Sequence, residues 1–346
     1  MKRFRIALLP GDGIGPEVVT EAVRVLDAIE ERDLGPALEY ETLRVGAAEY
    51  VRSGDPLPPA VFERLPQFDA ILLGAVGLPN VCWPNGVEMT PQLDLRERLD
   101  LYCGLRPVSL FHRLDSPLRT PGAIDFLLVR ENTEGLFAGR SQPRRPGADT
   151  VEDTMRITRG GVERITRAAF RAAMTRRKHV TLVDKANVLP SMVFFRRVFD
   201  EVASEFPDVT TEKIYVDAAT LYLLQRPQCF DVLVMENMFG DILSELAAGL
   251  VGGMGMAPSA DIGDRYAVFQ PSHGSAPDIA CRGIANPVAT ILSAALMLEW
   301  LGAGVAAKSI RDAVRRVFED PAQRTAEMGG ALRTAEMTDA IIAALP

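Results

Sequence analysis

The chain has 346 residues, 47% hydrophobic and 24% charged, ordinary values for a globular protein with a sizeable core and long enough for two domains. A net charge of −8 and a pI near 5.2 argue against a nucleic-acid partner, which calls for a basic surface. Four scattered cysteines, Cys82, Cys103, Cys229 and Cys281, lack metal-type spacing and read as reduced thiols in a cytoplasm.

The amino terminus turns directly into a short apolar strand at residues 5–9 and is no signal peptide. The turn Pro10-Gly-Asp-Gly-Ile-Gly-Pro-Glu17 follows, then a helix from about Pro16 with Val18, Val19, Ala22, Val25, Leu26 and Ile29 on one face. Such a turn can bring backbone N–H groups to a phosphate or ribose. Its third glycine follows too soon for Gly-x-Gly-x-x-Gly, so the default reading is a tight strand-to-helix turn. A second buried strand covers 70–75, and a helix lies around 93–101. The segment Leu105-Arg-Pro-Val108 follows it, then a strand at 124–130 running into Glu131-Asn-Thr-Glu-Gly135. Arg96, Arg106 and Arg130 sit on these three pieces. If they converge they form a clamp for a di- or tricarboxylate, since guanidinium forks pair with carboxylates bidentately; singly, each reads as a surface ion pair.

Residues 139–155, polar and broken by proline and glycine, read as a loop or an assembly arm, and Arg144-Arg145 falls within it. A helix follows at about 160–177, its polar end reaching Arg176-Arg-Lys-His179. The strand 179–184 ends at Lys185, a position suited to an acid or base and equally to a salt-bridged structural lysine. Residues 213–217 read as a strand ending on Asp217. The apolar run 230–235 opens onto Glu236-Asn-Met-Phe-Gly-Asp-Ile-Leu-Ser-Glu245, where Asp241 and Glu245 are four apart and share a helix face. Two such acids suit a hard divalent cation. They also suit a solvated first turn. The loop from Phe269 to Pro287 contains His273, Gly274, Ser275, Ala276, Asp278, Ile279 and Asn286, residues that suit a ribose and an adenine. An acid such as Asp278 holds a free ribose hydroxyl and repels a 2′-phosphate, pointing to NAD over NADP. Residues 289–307 are nearly all apolar but contain Glu299 and two glycines, and read as one buried helix rather than a membrane span.

Five motifs together carry a resemblance to the β-decarboxylating dehydrogenases that act on isocitrate, homoisocitrate, 3-isopropylmalate, D-malate and tartrate. They are Leu105-Arg-Pro107, Val129-Arg-Glu-Asn-Thr-Glu-Gly135, Asp184-Lys-Ala-Asn-Val-Leu189, Phe239-Gly-Asp-Ile-Leu-Ser244 and His273-Gly-Ser-Ala-Pro-Asp-Ile279. The likeness runs from Gly11 to Gly330. It implies an α/β, isopropylmalate-dehydrogenase-like (non-Rossmann) fold of two interleaved α/β domains. Residues 1–105 plus 252–346 would bind cofactor, and 106–251 would serve substrate binding and dimerisation, with an arm at about 138–158. The resemblance implies Arg96, Arg106 and Arg130 on the substrate, with Thr90 and Gln92 beside them. It implies Lys185 and Asp217 as catalytic, and Asp217, Asp241 and Glu245 as ligands of Mg²⁺ or Mn²⁺. NAD would lie on Ile14, His273, Gly274, Ser275, Ala276, Asp278, Ile279 and Asn286. It further implies a cytoplasmic homodimer with shared sites, a small hydroxy di- or tricarboxylate as substrate, and no nucleic-acid or membrane partner. Lys185 and Asp217 would come from the neighbouring subunit.

Three positions depart from the family pattern. Phe137 stands where most members have a tyrosine thought to help protonate the enolate, Glu245 replaces the second aspartate of the metal helix, and Gln270 replaces the glutamate before Pro-x-His-Gly. They motivate two alternatives: a non-catalytic or regulatory paralogue, and a dehydrogenase that oxidises without efficient decarboxylation. The substrate signals diverge. Thr90 and Gln92 resemble the polar pair that meets isocitrate's extra carboxylate, and Leu93 suits an isopropyl group. Residues 75–79 resemble D-malate and tartrate enzymes, whereas 249–255 and 261–264 resemble homoisocitrate enzymes.

Overall fold

A computed structural model describes residues 3–84, 86–140 and 149–346. Its first part runs β1 (Arg3–Gly11), α1 (Gly15–Glu31), β2 (Ala37–Thr42), α2 (Ala47–Ser53), α3 (Pro59–Phe62), β3 (Ala70–Ala75), α4 (Pro91–Arg98) and β4 (Cys103–Ser109). The middle contains β5 (Asp125–Glu131), α5 (Arg159–Met174), β6 (His179–Asp184), α6 (Pro190–Ala203), β7 (Thr210–Tyr215), α7 (Val216–Gln225), β8 (Val232–Met235) and α8 (Asn237–Gly249). The chain ends with β9 (Pro258–Ile262), β10 (Ala267–Pro271), α9 (Val288–Trp300), α10 (Gly304–Phe318) and α11 (Thr334–Ala343).

All ten strands form one sheet in the order β2-β1-β3-β10-β9-β4-β5-β8-β6-β7. The two flanks are parallel, and the centre, β10-β9-β4-β5, is antiparallel. Parallel strands covered on both faces read as unbroken apolar runs, as the wholly buried β3 and β8 do. Two large apolar clusters flank the centre. One is drawn entirely from Cys103 to Val251, the other from Phe4 to Leu72 together with Met256 to Leu345, and Leu105 and Ile262 touch both. The antiparallel centre is therefore where side chains of the two clusters' segments meet.

Several local expectations change. Cys103–Ser109 is a strand, paired along its whole length with β5 despite Arg106 and Pro107. Asp217 does not end a strand: β7 stops at Tyr215, and Asp217 lies in the first turn of α7, where an acid is favoured by the helix dipole. The apolar run 289–307 is two helices, broken where Gly302 takes a positive φ of 79°. No described helix is long and apolar enough to cross a membrane. In the glycine turn three donors are already used: Asp12 N–H bonds Ala75 O, Ile14 N–H bonds Ser275 O, and Gly15 N–H bonds Asp12 O. A Cβ at Gly13 would stand 1.9 Å from Ser275 O, so this glycine lets the turn close on the 272–279 loop. Of the expected arm, residues 141–148, with Arg144 and Arg145, lie outside the described residues, while Arg156 returns to bridge Gly135.

Candidate active site

A cavity opens above the sheet centre. Arg96 enters it from α4, Arg106 from β4 and Arg130 from β5, with Asp241, Ser244 and Glu245 from α8. Gln92, Leu93, Val76 and Phe137 line it as well, and Gln270 to Gly274 close the far wall. The three arginines thus converge from separate elements, and each is buried. Arg130 fits because residue 240 is glycine: a Cβ there would stand 2.6 Å from Arg130 Cγ. Its Nε and Nη2 donate to Asn237 Oδ1 at 3.0 and 2.8 Å, and Nη1 donates to Asp241 Oδ1 at 2.6 Å. Burial, with the charge of Arg96 nearby, pushes its pKa down to about 9, and burial also lowers that of Arg106. Gathering buried guanidinium groups this closely costs energy that an anionic ligand would return. Gln92 adds a buried Oε1 with no partner among the described residues. Thr90 is the residue before α4 and is not among those lining the cavity.

A central group has no local signature in the sequence. Asp261, on β9 and 1% exposed, accepts from Arg96, Arg106, Asn132 and Gln270. Its only sequence signal is an acid inside a strand-like run of small and apolar residues, which demands buried partners.

Asp241 and Glu245 face the same cavity one turn apart. Burial, and then the charge of Asp241, raise the pKa of Glu245, so the pair is under-compensated in a way a divalent cation would relieve. Among the described residues no group of three or more acids, histidines or cysteines is placed to hold a metal ion. Asp217, the third expected ligand, lies apart from the cavity and accepts from Lys185 Nζ at 2.7 Å. That bond holds the Asp217 carboxyl below its usual range. Lys185 does not line the cavity either, so the expected site residues fall into two groups within one chain.

Of the expected cofactor residues, His273 and Gly274 line this cavity and the others do not. Ile14 packs with Val18 and Ala285, against Ala276 and Ile279. Burial lowers the pKa of His273 and keeps it neutral. A carbonyl only accepts, so Nδ1–H donates to Gly274 O at 2.9 Å, and Nε2 is a buried acceptor without a partner among the described residues. Ser275 Oγ donates to Gly77 O, and Ala276 takes a positive φ of 38°. Among the described residues Asn286 offers its amide N–H only to the sulfurs of Met256 and Met328, at 3.5 and 3.7 Å, which are weak acceptors. Asp278 and Gly274 are solvent-exposed.

Comparison with known proteins agrees with this geometry. Residues 5–341 match the family model described as isocitrate/isopropylmalate dehydrogenase. A 3-isopropylmalate dehydrogenase from Corynebacterium aurimucosum is 44% identical over 99% of both chains. One from Aquifex aeolicus is 46% identical over 87% of this chain and 84% of its own. Among solved structures, isocitrate dehydrogenase from Methylococcus capsulatus aligns with a TM-score of 0.89 and 39% identity over 99% of both chains. A β-decarboxylating dehydrogenase from Thermococcus kodakarensis aligns at 0.83, also with 39% identity, over 99% of this chain and 96% of its own. The chain therefore belongs to the isocitrate/isopropylmalate dehydrogenase family and is a dehydrogenase of its oxidatively decarboxylating kind.

Proposed function

We propose that the protein catalyses the NAD- and divalent-metal-dependent oxidative decarboxylation of a 3-carboxy-2-hydroxy acid, with 3-isopropylmalate first among the candidates. The observation that carries this reading is the convergence of three buried arginines on a cavity with an apolar side. Among the described residues no lysine or arginine beyond Arg96, Arg106 and Arg130 lines it, and Val76, Leu93 and Phe137 do. That composition suits two carboxylates and a hydrocarbon branch better than three carboxylates. Several relatives carry the name 3-isopropylmalate dehydrogenase.

In this reading Arg96, Arg106 and Arg130 hold the carboxylates and turn the hydroxyl-bearing carbon toward the 273–279 loop. Asp241 and Glu245, with Asp217 of a second copy, would hold Mg²⁺ or Mn²⁺, which supplies Lewis-acid stabilisation of developing oxygen charge when bound. Ile14, His273, Gly274, Ser275, Ala276, Asp278, Ile279 and Asn286 would hold NAD, the hydride acceptor. Lys185 of the second copy moves the proton at the substrate hydroxyl, and Asp217 keeps its ammonium in place. The assignment to a second copy draws support from the separation of Lys185 and Asp217 from the cavity. It also draws on exposed apolar side chains on neighbouring helices: Val193 on α6, Leu221 and Leu224 on α7, and Ile242 beside Asp241 on α8. The two apolar clusters support the division into 1–105 plus 252–346 and 106–251. Four unpaired cysteines suit a reducing cytoplasm.

A second reading rests on Phe137. It lines the cavity, its ring centroid 5.6 Å from the Arg130 guanidinium, and has no hydroxyl to give a proton to the enolate. Here oxidation would outrun loss of CO₂. The test is NADH formation with Mn²⁺ across 3-isopropylmalate, isocitrate, homoisocitrate, D-malate and tartrate. Preference for 3-isopropylmalate, abolished by Lys185→Ala, is the expected result. Turnover of none by a folded protein that binds NAD would overturn the proposal in favour of a binding subunit.

A further inference from the structure

Asp261 is an unusual residue to find at the sheet centre. Its carboxylate is 1% exposed, on a strand whose other members are small or apolar. Oδ2 accepts from Arg96 Nε at 2.9 Å and from Gln270 Nε2 at 2.6 Å. Oδ1 accepts from Asn132 Nδ2 at 2.8 Å and, at a longer 3.5 Å, from Arg106 Nη1. A carboxylate has about four lone-pair sites, and these donors from α4, β10, the segment after β5, and β4 use them all. Burial alone would raise its pKa; Arg96 and Arg106 outweigh that and bring it down to about 2.

What Asp261 holds matters more than what it touches. Asp261 itself does not line the cavity, but Arg96, Arg106 and Gln270 do. Engaging Arg96 through Nε leaves the end-on edge of its guanidinium, one N–H from each terminal nitrogen, for a bidentate carboxylate contact. Gln270 spends its NH₂ group on an acceptor-only carboxylate, which fixes the amide's orientation.

From this juxtaposition we infer that Asp261 and Gln270 are one positioning unit: Asp261 aims Arg96 and Arg106 at the substrate's carboxylates, and position 270 is an amide because Asp261 is charged. The inference rests on the cavity being the substrate site, as proposed above. It also changes the meaning of Gln270, which does not mark a lost charge. The carboxylate stands one side chain deeper, on the arginine clamp, with the amide facing the cavity. A glutamate at 270 would set two carboxylates at hydrogen-bond distance in a buried site, where both cannot stay ionised. Asp261→Asn in the same chain would restore one amide facing one carboxylate, with the partners exchanged.

The test is a four-member cycle of the parent, Asp261→Asn, Gln270→Glu and the double variant, read by KM for the hydroxy acid, kcat, NAD affinity and thermal midpoint. Gln270→Glu is expected to raise KM roughly a hundredfold, with NAD affinity within about threefold of the parent. The double variant is expected to return KM to within about tenfold of the parent and to recover the thermal midpoint, a non-additivity that only directly coupled residues show. A double variant as impaired as Gln270→Glu, or a Gln270→Glu protein with KM within about threefold of the parent, would overturn the inference. If Gln270→Glu fails to fold, a folded double variant supports the unit and an unfolded one refutes it. If the parent turns over no hydroxy acid, the functional reading fails, while the thermal midpoints still decide the coupling.

Discussion

Arg130→Lys keeps the positive charge of the clamp and removes its planar fork. In the parent, Nε and Nη2 share Asn237 Oδ1 and Nη1 meets Asp241. A lysine ammonium is one point charge, so a bidentate carboxylate contact loses one of its two charge-assisted bonds, worth about 1.5–3 kcal/mol. Leaving Asn237 Oδ1 short of a donor in a buried setting adds about 1 kcal/mol of disorder at the site. The sum, about 2.5–4 kcal/mol, corresponds to a roughly 70- to 900-fold fall in kcat/KM, carried mostly by KM. Steady-state NADH formation against 3-isopropylmalate measures it, with a thermal midpoint alongside to separate lost binding from lost folding. A folded Arg130→Lys protein with kcat/KM within about threefold of the parent would refute both the clamp and its bidentate geometry.

Phe137→Tyr restores a proton donor facing the cavity, and kcat should rise by up to about a hundredfold with little change in KM if enolate protonation limits turnover; stopped assays of CO₂ and NADH check it. Asp261 should make the protein acid-sensitive. Its folded pKa, about 2, lies below the ordinary 3.8, so its contribution is fully present above about pH 4 and is lost as pH falls toward 2. By pH 2.5 on the order of 1–2 kcal/mol of stability should be gone in urea titrations of the parent, and Asp261→Asn should lack this component. Mn²⁺ at a hundred times its Kd should stabilise the folded protein by about 2.7 kcal/mol, and Asp241→Asn should abolish the rise in thermal midpoint. Lys185→Met and Asp241→Asn proteins should each be inactive, and mixed dimers refolded from the two should regain activity at one site in two; no recovery would place both groups in one subunit.

Where sequence signals were local, the fold could be read from them. β3 and β6 are apolar runs bounded by turn residues, and their limits match residues 70–75 and 179–184. β4 was hidden because Arg106 and Pro107 interrupt its pattern; it is a strand because β5 and β9 pair with it on either side. Asp217 looked like the end of a strand because Ile214 and Tyr215 favour one, and the helix begins at the next residue without a side-chain cap. The arginine clamp was legible as a hypothesis, since three arginines near strand and helix ends carry an obvious carboxylate chemistry. Asp261 was not. Its arginine partners lie 165 and 155 residues away in sequence, so no window along the chain contains the network.

On the function proposed above, oxidation and decarboxylation occur together on a hydroxy dicarboxylate held by Arg96, Arg106 and Arg130. Simultaneous measurement of NADH and CO₂ from 3-isopropylmalate, with NAD⁺ and Mn²⁺, tests it most directly. The two products are expected in equal amounts, both lost in Lys185→Ala. NADH without matching CO₂, or neither product from a folded and NAD-binding protein, would contradict it.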